Sequence, residues 1–168
     1  MMSTPDSRKV AQDVEGTTIL HIRLASDGNW PPVAFEEIEA FPLGEDRFRL
    51  ASPPAFAKRL AVGDTVRIAR YGSPEVPWID GLVEKSGHST IRVIFFKSAG
   101  EAPEGELRLK MRQLGVSVVE TSFDGLVAMD VPADVDYGAV LDYLASGEER
   151  KLWEFEEAAV SPSHDAER

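Results

Sequence analysis

"VEKSGHSTIRVIFF", Val83 to Phe96, is the stretch on which the reading of this chain turns. It holds the one histidine with a serine two residues before it and another directly after it. "SGHST" is therefore either a reaction centre or a bend between strands. Ser and Gly adopt the backbone angles of a turn, and the hydroxyls of Ser86, Ser89 and Thr90 are suited to satisfying its free N–H groups. The stretch is predicted to be a bend, closing a hairpin between "WIDGLVEK" and "STIRVIFF".

Forward of that bend the pattern is regular. "PEGELRLKMRQLG" opens with Pro103, closes on Gly115 and spaces Leu107, Met111 and Leu114 as a helix, although the alternation in "LRLKM" also admits a strand. "VSVVET" and "LVAMDV" flank "SFDG", an Asp-Gly hairpin signal. "DVDYGAVLDYLASG" places Tyr137, Val140, Leu141 and Leu144 at helical spacing, with Gly147 expected past its end, and "KLWEFEE" is a final, charge-protected edge strand. Strand, helix, strand, strand, helix, strand is the order of the ferredoxin-like split βαβ unit, with helices on one side of a sheet.

Behind the bend the chain is β-rich. Leu20, Ile22 and Leu24 share one side of "TTILHIRLAS", and Phe48 and Leu50 share one side of "DRFRLAS", which forms a hairpin with "VAFEEIEAFPL". "PPAFAKRLAVGD" is predicted as a short helix entered through proline, and "TVRIARYG" as the next strand. The predicted fold class is α+β, an N-terminal small, bent, β-barrel-like sheet followed by a ferredoxin-like half. The divisions are a disordered tail over 1–16, a β-rich subdomain over 17–89, a ferredoxin-like subdomain over 90–158 and a second tail over 159–168.

Three phrases carry a family resemblance: "WPPVAFEEIEAFPLGEDRFRLASPPAFAKRLAVGDTVRI", "VEKSGHSTIRVIF" and "LVAMDVPADVDYGAVLDYLASGEE". Together they resemble the bacterial domain-of-unknown-function family 4265, with "SGHST" followed by Arg92 as the most specific part. Glu39 stands where the family pattern places an aromatic residue. The resemblance implies the two-part layout and brings no activity with it.

Composition narrows the function classes. With 168 residues there is enough chain for a real core, and without cysteine there are no disulfides, thiolate chemistry or common zinc-finger patterns. No run approaches the roughly 20 apolar residues of a membrane span, and the N-terminus lacks a secretory apolar region, so a cytoplasmic protein is expected. A net charge of -11 repels nucleic-acid phosphates and anionic lipid heads and favours a basic protein partner. Neither G-x-G-x-x-G nor a phosphate loop appears, and no cofactor is implied.

The candidate ligand- or partner-binding residues are Glu84, Ser86, His88, Ser89 and Arg92. Alternation in a strand would let Glu84, Ser86 and His88 converge, and a carboxylate-supported imidazole beside Arg92 could grip an anion. No catalytic residue is assigned, because Ser86 and His88 lie too close in sequence for the usual base and nucleophile and no G-x-S-x-G elbow is present. Asp130, Asp134 and Asp136 lack EF-hand spacing, and Asp134 or Asp136 is expected to cap the following helix. His21 is placed at the core or its edge and His164 in a tail, so no metal site is expected. Trp30, Trp78 and Trp153 are weighted toward packing over a binding face.

Three functions follow as expectations. The first is a non-enzymatic interaction protein binding a basic partner, with an immunity or antitoxin role as one form. The second is a small-ligand sensor using a crevice between the halves. The third is a hydrolase or transferase centred on His88.

Overall fold

Period-2 alternation in the first half becomes a barrel with an apolar inside. The computed structural model describes residues 16–168, so the tail expected over 1–16 lies outside the described residues apart from Gly16. Strands β1 (Thr18–Arg23), β2 (Phe35–Gly44), β3 (Arg47–Leu50), β4 (Thr65–Tyr71) and β5 (Val76–Glu84) close in sequence order. All neighbours are antiparallel except β1 and β5, which meet in parallel at His21 and Trp78. Leu20, Ile38, Phe48, Leu50, Val66 and Ile68 fill the interior, while Arg47 and Arg49 point to water as the alternation predicts.

The second half is a four-stranded antiparallel sheet in the order β7-β8-β6-β9, built from β6 (Ser89–Phe95), β7 (Ser117–Glu120), β8 (Leu126–Val131) and β9 (Trp153–Ala159). Helices α1 (Ala102–Leu114) and α2 (Tyr137–Glu149) connect its strands and bury Leu107, Met111, Val140 and Leu144 against Ile91, Val93, Val127 and Met129. Leu109 is 55% exposed, which settles the helical alternative for "LRLKM". Asp136 caps α2 by accepting the Ala139 N–H at 3.1 Å. The chain is therefore α+β, mostly sheet, in two parts. No helix among the described residues is long and apolar enough to cross a membrane.

Three local expectations are corrected. The bend at "SGHST" closes no hairpin: β5 ends in the barrel at Glu84, β6 begins in the other sheet at Ser89, and the segment is the crossing between them. The helix expected over "PPAFAKRLAVGD" does not form, because distant side chains take its backbone groups. Glu36 accepts the N–H groups of Ala55, Phe56 and Ala57 at 2.6, 2.9 and 2.7 Å, and Arg92 donates to the carbonyls of Pro54 and Ala57. The C-terminal residues, expected as a tail, pack: β9 runs to Ala159, a short helix α3 (Pro162–Asp165) follows, and His164 is fully buried.

Candidate functional site

The crossing segment is a set of struts from the sheet to the barrel. Asp64, buried at the start of β4, accepts the N–H of Ala61 at 3.0 Å and of Ser86 at 2.8 Å. Ser86 Oγ donates to the Val62 carbonyl at 2.6 Å and accepts the His88 N–H at 3.1 Å. Gly63 is required beneath it: its φ is +86°, and a Cβ there would lie 2.9 Å from that of Ser86. Thr90 Oγ1 donates to Leu60 O at 2.8 Å. Of the three hydroxyls expected to serve the turn itself, only that of Ser86 does so, and it also reaches across.

Arg92 is the central strut. Alternation along β6 turns Ile91 and Val93 to the helices, so Arg92 faces the barrel side with only 5% of its side chain exposed. Nε and Nη2 donate to Glu156 Oε2 at 3.1 and 2.6 Å, and Nη1 donates to Ala57 O at 2.7 Å and Pro54 O at 3.3 Å. Four of the five guanidinium N–H groups are thereby engaged, and the anion grip expected of Arg92 with His88 has no free donor fork on the arginine side.

His88 does meet a carboxylate, but it is that of Asp130 on β8 and not Glu84. Nδ1 lies 2.7 Å from Asp130 Oδ1, and the ring is 29% exposed. Glu84 ends β5 exposed and takes no part in these contacts. A carboxylate on Nδ1 orients an imidazole as in acid–base pairs. Ser86 Oγ gives its proton to a carbonyl, so no serine is activated by this ring.

A serine–histidine contact exists elsewhere. Ser89 Oγ is 2.6 Å from His164 Nδ1 and accepts the Ser161 N–H at 2.8 Å. Donation from the hydroxyl to Nδ1 leaves fewest unpaired groups, and the buried Nε2 then has no partner. His164 stacks on Tyr137 at 4.5 Å between ring centroids, and Tyr137 donates its hydroxyl to Glu157 at 2.9 Å. Burial, first, and then the Glu157 carboxylate push the Tyr137 phenol well up, so it stays a donor. Ser89 and His164 are both fully buried, so the pair is a clasp for the C-terminus and not a nucleophile. Ser89→Ala is expected to cost about 1–3 kcal/mol in urea unfolding, with faster amide exchange confined to Ser161–Arg168. Unchanged exchange there would show that the clasp is held by other contacts.

The struts leave a crevice between barrel and sheet. One recess, about 310 Å³, is lined by Trp30, Ala55, Arg92, Ile94, Leu126 and Glu154–Glu156. A second, about 440 Å³, shares Trp30, Arg92 and Glu156 and extends along Ile22–Asp27 and Phe56–Lys58. Trp30, 44% exposed, is braced edge-on by Phe56 at 5.5 Å and Phe123 at 5.3 Å. Neither recess includes His88, Ser86 or Ser89. Among the described residues no group of three or more His, Asp or Glu is placed to hold a metal.

Residues 36–155 match the family described as "Domain of unknown function (DUF4265)". The chain belongs to that family. A solved structure, a hypothetical protein from Neisseria gonorrhoeae, matches with a TM-score of 0.71 at 19% identity, covering 86% of this chain and 96% of that one. At that identity the likeness speaks for the fold alone. The chain matches no curated protein.

The DUF4265 span begins at Glu36, the side chain that organises the 55–57 backbone, and includes the crossing segment, Arg92 and Asp130. Trp30, Glu156 and His164 lie outside it. Glu36, Asp64, Asp130, Glu156 and His164 were not singled out as site members by sequence reasoning. Each is one carboxylate or ring whose partner is at least 19 residues away, except for the local Asp64–Ala61 bond. No local pattern marks these partners, because each contact joins segments distant along the chain.

Proposed function

We propose that this DUF4265 chain is a non-enzymatic protein-interaction module that takes a basic partner at the crevice between barrel and sheet. The observation that carries the reading is the pair of adjoining recesses around Trp30, in a chain whose net charge is -11. The hydroxyls of "SGHST" support it from the other side, since they are spent on struts and the clasp and leave no activated nucleophile. Immunity- or antitoxin-like capture of a basic protein is one concrete form of this function. The order β7-β8-β6-β9, with a helix in each crossover, supports reading the second half as a ferredoxin-like split βαβ unit.

The test is calorimetric titration with a defined lysine- and arginine-rich peptide, beside an unrelated protein of equal net charge. Saturable binding that weakens on the order of tenfold between low and physiological salt, and exceeds that of the control, is the expected result. Binding no better than that of the control would remove the reading. The recess volumes also favour a small-ligand sensor, since they fall in the roughly 300–1,000 Å³ range of ligand pockets. That reading calls for salt-insensitive binding of an uncharged or zwitterionic compound at Trp30.

A further inference from the structure

Arg92 and Glu156 face each other across the recess floor, 2.6 Å apart, and neutralise each other. The remaining nitrogen of Arg92 is held by two carbonyls. Glu154, two residues before Glu156 and on the same face of β9, lines the recess, is exposed, and has no ion pair or side-chain hydrogen bond among the described residues. The uncompensated charge of the recess is therefore a single carboxylate. It lines the same recess as the Trp30 indole, with Ala55, Ile94 and Leu126 as apolar wall.

We propose that this recess receives one cationic side chain of the basic partner, an arginine or a lysine, with Glu154 as its counter-charge and Trp30 as its aromatic platform. The proposal rests on the basic-partner reading above and gives it an address. An alkyl stem is matched by the apolar wall, and its charged end by a carboxylate and an indole, the two groups that bind organic cations best in a partly dry site. An anion would meet Glu154 and Glu156 and find Arg92 already occupied. At about 310 Å³ the recess is at the small end for ligands and suits one side chain. Phe56 and Phe123 hold Trp30 from two separate segments, so little ordering is left for the partner to supply. Lys58 lines the neighbouring recess and not this one, and its mostly exposed side chain, 3.9 Å from Glu156 Oε1, makes only a weak, screened pair there.

The experiment titrates the full chain with a pentapeptide carrying one central arginine, with its citrulline counterpart, and with the lysine- and arginine-rich peptide. It uses wild type, Glu154→Gln and Trp30→Ala, the thermal unfolding of each variant being checked first. Citrulline in place of arginine, and Glu154→Gln, should each weaken binding of the pentapeptide on the order of tenfold, and Trp30→Ala by a similar factor. Glu154→Gln is a surface substitution and keeps the fold even if Trp30→Ala does not. Equal binding of the arginine peptide by wild type and Glu154→Gln overturns the recess while leaving the basic-partner reading intact. Failure of the lysine- and arginine-rich peptide to bind at low salt overturns both.

Discussion

Arg92→Met should lower stability by about 3 kcal/mol, a fall in melting temperature of roughly 6–12 °C for a chain of this size. Methionine fills much of the same volume, so the loss isolates the polar contacts from packing. Removing the guanidinium strands the carbonyls of Pro54 and Ala57 and leaves Glu156 without its partner. A broken buried pair costs about 3–5 kcal/mol, and the lower end applies because Glu156 is 44% exposed and recovers water. Arg92→Lys should rescue little, since one ammonium cannot reach a carboxylate and two carbonyls in the same geometry. Glu156→Gln should cost about 1 kcal/mol, keeping an acceptor for the arginine. Urea unfolding of the three variants checks the order. A loss under 1 kcal/mol for Arg92→Met would mean that the 53–58 segment is held by Glu36 alone.

The same contacts explain where the sequence was legible. Strands with one dry face, such as β3 with Phe48 and Leu50 inward, announce themselves by period, and α2 by its Tyr137, Val140, Leu144 stripe. Both signals are local. "SGHST" has the composition of a turn, yet nothing in these five residues tells a hairpin from a crossing between sheets. That difference is decided by the pairing of β6 with β8 and β9, which begin 37 and 64 residues after it. The helix predicted at "PPAFAKRLAVGD" failed for the same reason, its N–H and C=O groups being claimed by Glu36 and Arg92 from strands far along the chain. Of the five candidate residues, Ser86 proved to be a strut, Ser89 half of the C-terminal clasp, Arg92 a strut that also floors a recess, His88 a partner of Asp130, and Glu84 an exposed strand end. Trp30, weighted toward packing, is both braced and exposed, which no spacing rule conveys.

Gly147→Ala should destabilise by about 2–3 kcal/mol although alanine is the better helix former by about 1 kcal/mol. Gly147 was expected beyond the end of α2, but the helix continues to Glu149 and the glycine lies inside it for packing. A Cβ at this position would overlap the benzo atoms of the Trp153 indole. The ring has no room to retreat. It is 1% exposed, its Nε1–H donates to Leu144 O at 2.9 Å on the same helix, and Phe95 and Tyr143 flank it at 5.8 Å. The helix and β9 must therefore separate, or the indole must give up its hydrogen bond, and either outcome outweighs the gain in propensity. Trp153→Phe deletes the overlapping atoms, so in that background Gly147→Ala should become neutral or stabilising by up to about 1 kcal/mol. A double-mutant cycle measured by denaturant unfolding reads this reversal of sign directly. Equal penalties in the two backgrounds would place the cost of alanine in the helix backbone and not against the tryptophan.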